Sequence, residues 1–448
     1  MCIISVNNGE ISGRIKPVHS VVGVPSTSVR CEVKWKFDYF RHVSELGMPY
    51  SRFNGIGGNF GAMVFVDVSN IFRDFSADES YEKNYDFTFT DWLVNECVSR
   101  GVRLIYRLGA CREPDHRLKA YKIYPPKDYA KFARICERII LHYNSGWNGG
   151  FNADINYWEI WDGPDNAQSA DDNACCKGTK EEYFEFYRVV AKHLKKRFPS
   201  LLFGGYGASG FGLKDKNNYP TEFFRDFLGY ITSEETKAPL DFFTWNSVSQ
   251  DPDTNAEVSQ YVRRSLDGAG LTDCENICGS WNSGIADPSE IENASVIGAN
   301  LIAWQNSATD KAMYDSCNIG APYGLFGLRA NATSAPSYGY YVMKAFNALY
   351  KLGFQTHAVS DDKDVCVLSA SSSDESGVLI LNRSGVEKTA EIKTVGVNRN
   401  VIKVTVIKKI DVAHLSAEEV NDLFLPKKAG GVLKFTLTPN EVRLYEFR

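Results

Sequence analysis

The sequence predicts an α/β protein, a (β/α)8 TIM barrel with an accessory C-terminal antiparallel β-sandwich. Three observations predict it. Short apolar runs alternate with longer segments of helical periodicity over roughly 330 residues, and eight such runs can be counted. Beyond residue 352 the helical pattern gives way to alternating β-type segments separated by polar turns. Seven of the eight runs end in or beside Arg, Asn, Trp, Tyr or Asp, the residue types that chemistry at a barrel mouth uses. At 448 residues the chain exceeds one average domain. A barrel over 16–352 and a sandwich over 353–448 account for it, with residues 1–15 adding strands to the sandwich.

The first run is KPVHSVVG (16–23), followed by the helical pattern WKFDYFRHVSELG (35–47) and then PYSRFNG (49–55). The runs VRLIYRLG (102–109), INYWEIWDG (155–163), LLFGGYG (201–207), DFFTWNS (241–247), ENICGSW (275–281) and KAMYDS (311–316) complete the eight. Between them, residues 128–144, 180–198, 221–232, 256–270 and 289–307 place apolar side chains at i, i+3, i+4 and i+7, one face of a helix. Lys/Arg or Gly gather at several of their C-terminal ends, as helix stops do. The last segments, DVCVLSAS, GVLILNRS, KTAEIKTV, NVIKVTVIKKI and LKFTLTPNEVRLYEFR, alternate as half-buried strands.

A doubly wound sheet is the rival fold, and it needs a phosphate-binding first turn. The Gly-x-Gly-x-x-Gly match at Gly205, Gly207 and Gly210 follows a strand but opens no helix, so it is a chance match. A net charge of -5 gives no basic footprint for nucleic acid. No window holds the ~18 apolar residues of a membrane span. The opening MCIISVNNGEISG lacks the regions of a signal peptide. Eleven scattered cysteines read as reduced thiols. Together these predict a cytoplasmic protein, in which the sequons at Asn293, Asn331 and Asn382 are chance matches. Cys175-Cys176 adjacency does not suit a tetrahedral metal site, and no His-Glu-x-x-His or paired Cys-x-x-Cys occurs, so no metal or cofactor is expected.

The strand ends carry the functional signal. They offer Arg52 and Asn54, Arg107, Trp161 and Asp162, Tyr206, Asn246 and Gln250, then Ser280, Trp281 and Asn282, and finally Tyr314 and Asp315. Aromatic rings cover the C–H faces of a pyranose while amides and Arg read its hydroxyls, so this set suits a sugar. Either tryptophan alone would read as rim packing. Both at strand ends favour a ligand pocket.

YWEIWDGPDN (157–166), the segment KGTKEEYFEFYRVVAKHLKKRFP, DFFTWNSVSQDPD, ICGSWNS and DKAMYDS, in this order, resemble clan A glycoside hydrolases. The likeness is to family 39, the β-xylosidases and α-L-iduronidases, from IKPVHSVVG to Gly353. The resemblance implies a retaining two-carboxylate site. In that family the fourth strand ends Trp-Asn-Glu-Pro, with Glu as acid/base, and the seventh ends Glu-Trp-Asn, with Glu as nucleophile. Here Asp162 stands for the Asn, Gly163 for the acid/base and Ser280 for the nucleophile. Asn246-Ser247 stands for His-Ser on the sixth strand, and Arg52-Phe53-Asn54-Gly55 for Arg-Leu-His-Asp on the second.

The scaffold is kept and the titratable set is lost. The resemblance therefore implies a carbohydrate-binding cleft without the hydrolytic pair, formed by Arg52, Asn54, Trp161, Asp162, Asn246, Trp281, Asn282, Tyr314 and Asp315. Two alternatives stand beside it. One is an active O-glycosyl hydrolase using relocated carboxylates such as Asp162 and Asp315, although one residue along a strand turns a side chain to the opposite face. The other is a structural subunit beside an active paralogue, or a homo-oligomer. Glu159 reads as an interior carboxylate paired to Arg or Lys, and His19 as a packed histidine.

Overall fold

Eight parallel strands close a barrel in the order of the chain: β2 (Ser20–Val22), β3 (Tyr50–Phe53), β4 (Arg103–Leu108), β5 (Tyr157–Ile160), β6 (Leu202–Ala208), β7 (Phe242–Asn246), β8 (Glu275–Trp281) and β9 (Lys311–Tyr314). Each coincides with one of the eight runs read from the sequence. In this computed structural model the described residues are 1–23, 39–53, 66–112, 123–213, 218–287, 289–315, 317, 322–328, 334–396, 401–409 and 433–448. Asn54 and Asn331 lie outside them.

Helices α1 (Tyr39–Leu46), α2 (Val68–Ile71), α3 (Thr88–Val98), α4 (Tyr129–Ser145), α5 (Lys180–Arg197), α6 (Tyr219–Thr232), α7 (Pro252–Gly268), α8 (Glu292–Asn306) and α9 (Tyr338–Leu352) run between and after the strands. Their ends follow capping chemistry. Thr179 and Glu182 form a reciprocal capping box on α5, whose last turn carries Lys195, Lys196 and Arg197 against the dipole. Asp128 accepts from the Lys131 amide at the start of α4, and left-handed Gly146 ends it. On α5, Tyr183, Phe184, Phe186, Tyr187, Val190, Ala191 and Leu194 form the buried stripe against the barrel.

The remaining strands are β1 (Cys2–Arg14), the small hairpin β10 (Phe326–Leu328) and β11 (Ser334–Pro336), and then β12 (Phe354–Ser360), β13 (Val365–Ser371), β14 (Ser376–Asn382), β15 (Lys388–Val395), β16 (Val401–Ile407), β17 (Leu433–Leu437) and β18 (Val442–Phe447). All but the hairpin join one curled eight-stranded sheet in the order β16-β18-β14-β13-β12-β1-β15-β17. It encloses its own core of Cys2, Ile4, Val6, Val378, Ile380, Ile392 and Tyr445, the β-sandwich appended to the barrel. On β14 the alternate residues Leu379 and Leu381 belong instead to the main core, so this strand is buried on both faces.

The N-terminal strand sits in the middle of that sheet, antiparallel to β12 and parallel to β15. Ile4 is fully buried there. Ile4→Ala is expected to cost about 2 to 5 kcal/mol of stability, the range for emptying a buried aliphatic site, read as a lower urea midpoint at unchanged slope. Among the described residues no helix is long and apolar enough to cross a membrane.

Candidate functional site

Strand parity builds the site in layers. Val22, Tyr50, Ile105, Tyr157, Phe242, Ile277 and Met313 fill the base of the barrel interior. Two residues further along each strand the same face is presented again, now by Arg52, Arg107, Glu159, Thr244, Gly279 and Asp315. An apolar plug thus lies beneath a polar layer.

Arg52 organises that layer. Fully buried, it donates from Nε to Glu159 Oε2 at 2.9 Å and from Nη2 to Glu159 Oε1 at 2.8 Å and Asp162 Oδ1 at 2.9 Å. Its Nη1 donates to the Gly279 carbonyl at 3.1 Å and to Asn246 Oδ1 at 3.4 Å. Thr244 accepts from the Gly207 amide and donates to Glu159 Oε1. Glu159 is therefore the Arg-paired interior carboxylate that the sequence suggests. Two glycines make the room. A Cβ at Gly207 would lie 2.1 Å from Asp162 Oδ1, and one at Gly279 would lie 2.9 Å from Arg52 Nη1.

The strand-parity expectation for Asp162 is corrected by the backbone. Trp161 adopts a left-handed φ of 72° and Gly163 one of 60°. This turn sends Trp161 outward and delivers Asp162 inward to Arg52. The Trp161 ring packs 5.5 Å from Phe186 and 6.4 Å from Phe132, on helices α5 and α4, and its Nε1 donates to the Cys175 carbonyl at 3.0 Å. The structure places Trp161, expected in the sugar cleft, buried in the barrel wall.

Tyr314 is placed in the same way. It is buried, and its hydroxyl donates to the Tyr323 carbonyl at 2.6 Å. Trp281 meets it edge-on at 4.9 Å and is also buried, with an indole N–H that has no partner among the described residues. Asn282 spends its Oδ1 on the Gly284 amide in its own turn. What the fold brings together from the expected set is Arg52, Asp162 and Asn246, with Ser280 and Asp315 at adjoining strand ends. Asn54 lies outside the described residues.

Burial pushes the Asp162 carboxyl up to about 6, opposed by Arg52 and reinforced by Glu159. Burial also raises Asp315, against the pull of Arg52 and of the Ser280 hydroxyl. Asp165 is pushed up to about 7 by burial, although Ser209 donates to it from both its amide and its hydroxyl.

Arg107 stands out among residues the sequence did not single out for binding. Its Nη2 donates to Asp67 and, at 3.2 Å, to Cys111 Sγ. Its Nε and Nη1 have no partner among the described residues, although the side chain is fully buried. Asp67 lies 40 residues earlier in the chain, before α2, where no periodicity announces it.

Other readings find their places. His19 is buried against Phe346 and Tyr350, with Nε2 3.3 Å from Asn347 Oδ1, and burial pushes it down to about 3. Gly205, Gly207 and Gly210 all have positive φ and form the irregular end of β6, not a phosphate loop. Asn293 and Asn382 are buried with their amides bonded to carbonyls, an arrangement closed to glycosylation. Among the described residues no group of three or more His, Cys, Asp or Glu could hold a metal ion.

Barrel, appended sandwich and polar strand-end cluster together define a glycosidase scaffold. The family model for glycosyl hydrolases family 39 matches residues 14–263, more than half of the chain, and the chain belongs to that family. A β-xylosidase from Geobacillus stearothermophilus is 25% identical over 248 residues, 50% of this chain and 44% of that protein. The chain thus matches about half the length of such curated relatives. A glucosidase from Croceicoccus marinus superposes with a TM-score of 0.75 at 21% identity, covering 100% of this chain and 99% of that one. A β-xylosidase from Caulobacter crescentus gives 0.70 at 14%, over 100% and 99%. At these identities the structures share the fold.

Two outcomes are expected of this site. Because Asp162 and Asp165 titrate above the usual 3.8, the folded chain holds more protons than the unfolded one between that value and about 7. The stability they contribute is fully present below 3.8 and is lost as pH rises through about 6 and about 7. The urea midpoint should fall between about pH 4 and about pH 7, and Asp165→Asn should flatten that decline. Arg52→Met, which strands two buried carboxylates, should cost about 3 to 5 kcal/mol, and the double variant with Glu159→Met should recover part of it.

Proposed function

We propose that this family 39 barrel binds carbohydrate in its mouth and does not hydrolyse it. One observation carries the reading. Where the family resemblance expects the acid/base, Gly163 turns left-handed, with its amide bonded to the Tyr206 and Gly207 carbonyls at 2.9 and 3.1 Å. A Cβ there would lie 3.1 Å from Cys175 Sγ and 3.2 Å from its Cβ, so the direction a catalytic side chain would take is filled by a thiol. General acid/base catalysis is worth about 10²- to 10⁴-fold, and without it a retaining double displacement stalls at its first step.

Binding needs less than catalysis. Arg107 offers two nitrogens, Nε and Nη1, without a partner among the described residues, and Asn246 and Asp162 offer amide and carboxyl atoms, polar points of the kind that fix a sugar in a cleft. The xylosidase and glucosidase relatives make a pyranoside the ligand class to try first.

A second reading has its own support. The left-handed turn at Trp161 delivers Asp162 inward, and its raised pKa suits a general acid. In that reading Asp162 and Asp315 act as relocated carboxylates.

Incubation with aryl β-xylosides and β-glucosides, alongside calorimetry with xylobiose and cellobiose, separates the readings. Heat of binding without turnover is expected. Turnover that disappears in Asp162→Asn would establish the second reading instead. No heat from any sugar would leave the barrel a structural subunit.

A further inference from the structure

The helices of a barrel run against its strands, so the C-terminal ends of α1 and α9 lie at the opposite end from the mouth. There, between α9 and the curled sheet, is a cleft of about 310 Å³. That volume falls at the lower end of small-molecule sites, the size of one or two sugar rings.

The walls of the cleft are charged in balance. Lys344, Lys351 and Lys403 face Glu45, Glu375 and Glu446 across it. Lys344 Nζ lies 3.5 Å from Glu45 Oε2, and Lys403 Nζ 3.7 Å from Glu446 Oε2. Three ammonium groups and three carboxylates cancel, so an anion or a cation gains no net attraction here. The floor is apolar, with Ala348 and Leu352 from α9 and Phe447 from β18.

Two lining atoms are left over. Ser376 is 3% exposed, and its hydroxyl has no partner among the described residues. Glu446 Oε2 is buried and accepts no hydrogen bond among them, its cation Lys403 Nζ standing 3.7 Å away, beyond hydrogen-bond reach. Buried polar atoms are normally satisfied, so unsatisfied ones on a cleft wall point to an occupant. The fitting occupant is neutral and rich in hydroxyls. Its O–H groups would donate to Glu446 and accept from the lysines and Ser376, while its C–H face lay on the apolar floor.

We propose that this cleft is a second carbohydrate site, taking a mono- or disaccharide independently of the barrel mouth. The test is calorimetry with xylobiose and cellobiose on the whole chain, with inorganic phosphate as a control. Three proteins are compared: the native chain, Ala348→Trp, which fills the cleft from the half-buried side of α9, and Asn246→Ala at the mouth. Ala348→Trp should weaken one class of binding at least about tenfold, or 1.4 kcal/mol, while Asn246→Ala leaves that class unchanged. If the mouth takes no sugar, the native chain shows a single class, still removed by Ala348→Trp. Should Ala348→Trp fail to fold, Ser376→Ala removes only the hydroxyl and should weaken the same class. An isotherm unchanged by both cleft variants, heat from phosphate but not from sugar, or no heat at all overturns the proposal.

Discussion

One guanidinium holds the polar layer of this barrel together. The five N–H groups of Arg52 are spent on Glu159, Asp162, Asn246 and the Gly279 carbonyl, groups supplied by β5, β7 and β8 and the turn after β5. A charge so far from water is tolerable only when paired and fully hydrogen-bonded, which makes its partners as obligatory as the arginine. The dependence reaches the backbone. Gly207 and Gly279 lack side chains because Asp162 and Arg52 occupy that space. Thr244 bridges the Gly207 amide to Glu159, so the strand that donates clearance is tied to the strand that donates charge.

The layer beneath sets where this cluster can sit. Large apolar and tyrosine side chains close the base, so ligand can reach the polar layer only from the strand C-termini. Above it, the left-handed backbone at Trp161 exchanges inside for outside. A regular continuation of β5 would put an indole on the axis and the carboxyl in the wall. The observed turn does the reverse, and Gly109 admits the displaced ring, with a would-be Cβ only 3.0 Å from Trp161 Cα.

Much of this was legible in the sequence because burial and periodicity are local signals. The eight strands follow from apolar runs buried on both faces, and α5 from its stripe and capping box. The Glu159 pairing follows from parity alone. Other features depend on what no window contains. α3, written TFTDWLVNECV, uses aromatic and β-branched residues that favour strands, and tertiary packing overrides them. The short β12 follows Gly353 with a mixed pattern, FQTHAVS, whose exposure does not alternate cleanly. The parallel seat of β1 beside β15 joins residues nearly 400 apart. The inversion at Trp161 needs a positive φ at a non-glycine residue, which pattern reasoning assigns to no tryptophan. The strand-end position of Arg107 was legible, but its pairing was not, because its partner, Asp67, comes from a connection and not from a strand.

The same hydrogen-bond accounting bears on what the mouth can do. The carboxyls of the polar layer differ in how many fixed donors hold them. Glu159 takes two bonds from Arg52 and one from Thr244, whereas Asp165 is bonded by Ser209 and still pushed up to about 7 by its burial. Asp162 is different. Its Oδ1 is tied to Arg52, but its Oδ2 has no donor among the described residues. Asp315 has only Ser280 and the more distant Arg52 to hold it down. Among the described residues, Asp162 and Asp315 are therefore the carboxyls of this layer with the fewest fixed donors. Arg52 sets the balance between them. Kept as a clamp, it fixes Asp162 Oδ1 in place; loosened by a group that competes for Nη2, it would free the carboxyl that the left-handed turn has moved inward.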